Sequence, residues 1–148
     1  DARAEAVAGQ VEAQLADLAR RLAGVRPVRV LYYDPPGFTM GERTLVDEIL
    51  TRAGGLNVAR ELGIRGPGQI CLAALLALQP EAIFVPRYGD NASALGALSA
   101  SEAWRRLPAV AAGRVHEIRG AAINTVSHHA ANGLAQVARL LHPLSFQG

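Results

Sequence analysis

Hydrophobic positions along the chain alternate between two periods, and the alternation itself predicts the elements. Val7, Val11, Leu15, Leu18 and Leu22 recur every three or four residues, which places them on one face of a helix running to Gly24 and ~30 Å long. After Pro27, residues 28–33 are β-branched or aromatic and read as a strand, ended by the Asp34-Pro35-Pro36-Gly37 breaker. Thr39 with Glu42 three residues on has the spacing of a capping box, so a helix is expected from about Met40. Its apolar stripe is Leu45, Val46, Ile49, Leu50 and Ala53, with Gly54 supplying the left-handed turn at its end.

The same reading continues downstream. A helix is expected over 70–78, stopped by Pro80, and the apolar run 82–85 has the character of a strand covered on both faces. Ser99 and Glu102 repeat the capping spacing ahead of a helix holding Trp104, whose indole is expected in the core. Residues 115–118 read as the last strand. Ser127 then caps a helix with Leu134, Val137, Ala138 and Leu141 on its buried face, closed by Pro143. Strands alternating with helices imply an α/β fold: a three-layer Rossmann-like sandwich on a mainly parallel sheet, preceded by the long helix. In such sheets ligands meet the loops at the carboxyl ends of the strands, here 34–41, 86–92 and 119–125.

Composition narrows the classes. The 148 residues suffice for one domain, and with half of them hydrophobic and 19% charged the chain is expected to be globular and soluble. Charged or polar residues interrupt every apolar run before the ~20 residues that a membrane-spanning helix needs. All fifteen basic residues are arginine, which a GC-rich coding sequence explains, although arginine also suits bidentate carboxylate and phosphate binding. The formal charge of +2 is dispersed, with no basic stripe, so no nucleic-acid partner is expected. Asp1 opens directly into the first helix without a signal peptide, which an exported protein could have lost. A single cysteine, Cys71, excludes an intrachain disulfide and a multi-cysteine metal site; beside Leu72, Leu75 and Leu76 it is expected to be a buried, inert thiol.

No catalytic constellation emerges. Gly63, Gly66 and Gly68 follow no clear strand and precede no Lys-Ser/Thr pair, so nucleotide binding is rejected. No G-x-S-x-G elbow is present, and Ser127 beside His128 and His129 has no acid partner in sequence. The adjacent histidines point ~100° apart on a helix and chelate poorly, though one of them, His128, could reach a strand-end cleft; the alternative is one packed and one solvated imidazole. His116 falls inside a strand and His142 at a helix end, where it suits the dipole. No cofactor and no metal ligand set is assigned.

The candidate ligand-binding residues are Tyr33, Phe38, Arg87, Tyr88, Asn124 and His128, all at or near strand carboxyl ends. Aromatic faces there cover apolar ligand surface, phenols offer hydrogen bonds and Arg87 can pair with a carboxylate. Alternation places one of Tyr32 and Tyr33 in the sheet core, and Arg87-Tyr88 could equally be an ordinary solvated loop.

Four segments in order, TLVDEILTRAGGLNVA at 44–59, LLALQPEAIFVP at 75–86, LPAVAAGRVHEI at 107–118 and VARLLHP at 137–143, carry a resemblance. Together they resemble the C-terminal lobe of periplasmic substrate-binding proteins serving ABC importers of ferric siderophores, haem and cobalamin. The resemblance covers nearly the whole chain. It implies a non-enzymatic solute-binding component in which residues 1–24 form a linking helix and 25–148 one lobe of two. An iron chelate or tetrapyrrole-like ligand, a missing N-terminal lobe and ABC permease subunits are the implied partners. The implied location is periplasmic or exterior to the cell envelope, with room for a lipoprotein anchor upstream. In that family a glutamate commonly stands seven residues before the proline of the turn and meets permease arginines. Here the proline is Pro80 and the matching residue is Ala73, so docking does not transfer at this position, and acids Glu42, Asp47 and Glu48 are the nearest replacements. The rival readings are a small α/β enzyme or a sensory domain that reuses the lobe, and a purely structural interaction domain. A matched acid, base and nucleophile in the cleft would favour the enzyme.

Overall fold

The computed structural model describes residues 2–35, 37–87, 98–119 and 129–146. Helix α1 (Ala2–Leu22) is a single helix with Arg20 and Arg21 in its last turn, where cations suit the dipole. Leu18 is buried, and Leu15 and Leu22 pack against the same cluster; the side chains of Val7 and Val11 lie outside the described residues. Strands β1 (Val28–Tyr32), β3 (Gly55–Asn57), β5 (Ala82–Arg87) and β6 (Val115–Arg119) form one parallel sheet in the order β3-β1-β5-β6. Central strands of a parallel sheet are covered on both faces. Ala82, Ile83, Phe84 and Val85 accordingly have no exposed surface.

Two cores sit on the two faces. On one, Val30, Tyr32 and Phe84 meet helices α2 (Leu45–Arg52) and α6 (His129–Leu141), with α1 outside them. On the other, Leu31, Tyr33, Ile83 and Val85 meet α3 (Leu72–Leu78), α4 (Glu102–Arg105) and α5 (Pro108–Ala111). This is the expected three-layer α/β sandwich. Both tyrosines are buried, one in each core, because successive strand residues face opposite ways and both faces are covered.

Four details depart from the sequence reading. Thr39 caps no helix: it lies in β2 (Phe38–Met40), and its hydroxyl donates to the Tyr32 carbonyl at 2.6 Å. Helix α2 starts later, at Leu45, where the Thr44 hydroxyl accepts from the Asp47 amide. Downstream, Ser101 rather than Ser99 caps the Trp104 helix, accepting from the Trp104 amide. Cys71 is exposed, not buried, because it occupies the extended position before α3 instead of a place on its apolar face. Strand β2 pairs antiparallel with β4 (Pro67–Gln69), forming a small lip separate from the main sheet.

Strand β6 carries one acid-sensitive feature. His116 packs against the Phe84 ring, and its Nε2 is buried without a hydrogen-bond partner among the described residues. Burial first, and the nearby Arg114 charge second, lower its pKa. A depressed native pKa makes the folded state bind protons less readily than the unfolded one. Its stabilising effect is therefore complete above the unfolded value of about 6.5 and drains as pH falls below it. His116→Phe should flatten that limb of a melting-temperature profile between pH 7 and 5; an unchanged profile would assign the limb elsewhere.

Candidate functional site

All four main-sheet strands point the same way, so Asn57, Tyr33, Arg87 and Arg119 mark one rim. The lip stands beside the end of β1. Asp34 and Phe38 are tied together, the Asp34 amide donating to the Phe38 carbonyl and the Phe38 amide donating to the Asp34 carbonyl, both at 2.8 Å. That pairing presents Phe38, which is 42% exposed. The Gly41 amide donates to Gly66 at 2.9 Å and the Glu42 amide to Ile64 at 2.9 Å, tying the lip to residues 64–66. A Cβ on Gly41 would run into the Ile64 carbonyl, so only glycine admits this approach.

A buried polar network braces the lip from below. Asp47, on α2, accepts from Arg60 Nε at 2.9 Å, from Arg60 Nη2 at 2.6 Å and from Asn57 Nδ2 at 3.0 Å. The Asn57 amide also donates to the Met40 carbonyl at 2.9 Å, which links the end of β3 to the lip. Burial alone would raise the Asp47 pKa, but the hydrogen bonds from Arg60 and Asn57 together with the Arg60 charge prevail and hold it below the usual carboxylate range. Arg43 beside it is a non-glycine residue with φ of 69°, a conformation found most often where surrounding contacts over-determine it. Its backbone amide is one of the donors that lower Asp47.

Of the expected ligand residues, Phe38 and Arg87 lie on this rim, both exposed. Tyr33 backs the rim: it is 5% exposed, its ring 5.6 Å from that of Trp104, and burial raises its pKa. Tyr88, Asn124 and His128 lie outside the described residues. The register adds Arg119, which sequence reading missed. Arg87 and Arg119 are directly paired at the ends of β5 and β6, both exposed, and among the described residues neither has a carboxylate partner. Like charges facing each other on neighbouring strands repel, an arrangement that a bound anion relieves. The signal was available, since 119 closes the 115–118 strand as 87 closes 82–85.

Two other expectations change. Asp47 cannot serve as a surface acid, because its side chain is 5% exposed and committed to Arg60. Glu42 and Glu48 remain accessible, in ion pairs with Arg65 at 3.7 Å and Arg52 at 3.1 Å. Ala73 is exposed on the first turn of α3, at the rim end of that helix. Among the described residues no group of three His, Cys, Asp or Glu side chains gathers to hold a metal ion, and no helix is long and apolar enough to cross a membrane.

A family model described as periplasmic binding protein matches residues 1–122. No curated protein matches the sequence. Among solved structures, the chain is similar to CeuE of Helicobacter pylori in a Ni-His complex, with a TM-score of 0.82 at 18% identity over 93% of this chain and 45% of that one. It is similar to the periplasmic haem-binding protein RhuT of Roseiflexus sp. RS-1, with a TM-score of 0.80 at 22% identity over 97% of this chain and 57% of that one. It is likewise similar to the molybdate-bound periplasmic protein MolA of Haemophilus influenzae, with a TM-score of 0.81 at 24% identity over 97% of this chain and 45% of that one. The chain thus spans about half the length of these structures.

Proposed function

The chain belongs to the periplasmic binding protein family, and from that premise we propose that it is the C-terminal lobe of the solute-binding component of an ABC importer. On this reading residues 1–24 are the linking helix, residues 25–148 are the lobe, and a second α/β lobe closes over the rim. The solute is an iron chelate or tetrapyrrole-like compound, such as a siderophore, haem or cobalamin. Capture is non-covalent, takes place in the periplasm or outside the cell envelope, and ends in delivery to permease subunits. The observation that carries the reading is the Arg87–Arg119 pair at the carboxyl end of a parallel sheet, beside the exposed Phe38. Two guanidiniums without a carboxylate partner among the described residues suit carboxylate or other anionic groups, and the aromatic ring suits the apolar body of a chelate or macrocycle. Tyr88, Asn124 and His128 are the further proposed contacts, and Tyr33 backs the rim. The nickel, haem and molybdate named for the similar structures support a metal-bearing or anionic ligand without choosing among them.

Docking on this reading does not use the family's acid, since Ala73 offers no charge; the exposed Glu42 and Glu48 are the replacements. Exposed ion pairs contribute only about 0–1 kcal/mol each, so the loss of one acid weakens docking without abolishing it.

Half a cleft supplies half the contacts, so the 148-residue chain alone should bind weakly. Titration with haemin, a ferric hydroxamate, cyanocobalamin and molybdate checks this. Sub-micromolar capture of any of them by the isolated chain would sink the two-lobed reading. In the full two-lobed protein, Arg87→Ala should weaken an anionic ligand by about 1.5–3 kcal/mol, the worth of a charge-assisted hydrogen bond. Calorimetric titrations indistinguishable from wild type would remove Arg87 from the site.

A further inference from the structure

At the opposite end of the sheet from the rim, α1, α6 and the closing 3-10 turn (Pro143–Phe146) enclose a groove of about 420 Å³. Its position follows from the connections: Leu141 ends α6 by accepting from Arg114, which directly precedes β6, and α1 ends just ahead of β1. The floor is Leu18, Ala135, Pro143 and Phe146, and Arg21 and Arg139 stand over it. Both guanidiniums approach the same ring, Arg21 at 5.3 Å and Arg139 at 6.0 Å from the Phe146 centroid. Arg21 is pinned, donating through Nε to Asp17 at 2.9 Å and through Nη1 to the Ser145 carbonyl at 3.5 Å. Asp17 is the carboxylate lining the groove, and it also meets Arg20 at 3.4 Å. Arg139 has no carboxylate partner among the described residues.

Arg20 and Arg21 therefore share the one carboxylate, and Arg139 stands beside the apolar floor without one among the described residues. A ring face attracts each guanidinium, but two on one ring repel each other, and an anion placed between them removes that repulsion. The volume falls in the range of small-molecule sites, ~300–1,000 Å³. We propose that this groove binds an amphipathic anion, with a phosphate or carboxylate head between Arg21 and Arg139 and an apolar body over Leu18, Ala135, Pro143 and Phe146. The head stays on the Arg139 side, away from Asp17. A free metabolite and a membrane phospholipid share this chemistry. The site is independent of the rim and of the importer reading.

Dihexanoyl phosphatidic acid, a soluble probe with such a head and body, is titrated into the 148-residue chain and followed by amide NMR. Saturable shifts confined to residues 14–21 and 135–146 are expected. Arg139→Gln and Arg21→Gln should each weaken them about tenfold, whereas Arg52→Gln, on the exposed side of α2, should not. Co-sedimentation with phosphatidylcholine vesicles containing phosphatidylglycerol, lost in Arg139→Gln, would assign the source to a membrane surface. Saturable binding of the soluble probe alone would assign it to a free anion. Absence of saturable shifts at millimolar probe, shifts that survive both arginine variants, or equal binding of inorganic phosphate would overturn the proposal.

Discussion

Arg60→Ala is expected to destabilise the fold by about 3 kcal/mol, and to do so more than Asp47→Ala. The asymmetry follows from where each partner sits. Arg60 is 44% exposed on its side chain and Asp47 only 5%, so removing the aspartate leaves a cation that water can reach, while removing the arginine leaves a buried anion. Asn57 Nδ2 still donates to that anion, which keeps the cost from rising further. The acid response should weaken. In the wild type the Asp47 pKa is lowered, so its contribution is complete above about pH 4 and is lost as pH falls through the native value. Without Arg60, burial is opposed only by the Asn57 and Arg43 donors, so the Asp47 pKa should rise from its wild-type position. The stability lost on acidification through the carboxylate range should then be smaller in the variant than in the wild type, and Asp47→Ala/Arg60→Ala should recover part of the loss. Urea denaturation of the wild type and the three variants at pH 7 and 3 decides it; equal losses in the single variants with an unchanged acid response would show that the pair is not the brace of the lip.

The parts legible in the sequence were those whose cause is local or periodic. The first helix, the 82–85 strand and the 134–141 stripe each carry an apolar pattern that a packed α/β fold leaves little choice in satisfying, and the parallel sense of the sheet followed the alternation, while the edge strand 55–57 was not anticipated. The lip was not legible. Strands of three residues with Pro67 and Gly68 among them carry no period, and the partner of the Thr39 hydroxyl is a carbonyl seven residues back rather than the helix start its spacing implied. Phe38 and Arg87 could be picked out because they follow predicted strands. Arg119 could have been picked out in the same way, but its pairing with Arg87 is a matter of register, and the full burial of Tyr33 depends on Trp104, seventy-one residues on in the chain. Contacts of that kind are decided by which face each helix covers, information that no window of sequence contains.

Trp104→Ala tests that last dependence and carries the largest expected cost, about 3–5 kcal/mol for an emptied aromatic site. Trp104 is buried between the sheet and the outer helices, in one cluster with Tyr33, Leu107 and Val85, and Val85 belongs to a central strand that cannot collapse into the space. Tyr33 loses the ring that covers it. Its pKa is raised by burial, so the folded state holds the phenol proton more tightly than the unfolded one; that contribution is complete below about pH 10 and is lost as pH rises through the native value. Opening the site to water should bring the Tyr33 titration back towards 10, read as tyrosinate absorbance against a Tyr33→Phe control. Because Tyr33 is followed directly by the Asp34–Phe38 pairing, the same variant should loosen the lip, and hydrogen exchange at the Phe38 and Gly41 amides should quicken relative to the Ile83 amide in the sheet centre. Trp104→Phe, which keeps an aromatic body at the site, should restore most of the stability and the slow exchange. If exchange at the lip stayed at its wild-type rate while stability fell, the rear core would hold up the sheet without governing the rim, and the preorganisation of Phe38 would rest on the Asp47 network alone.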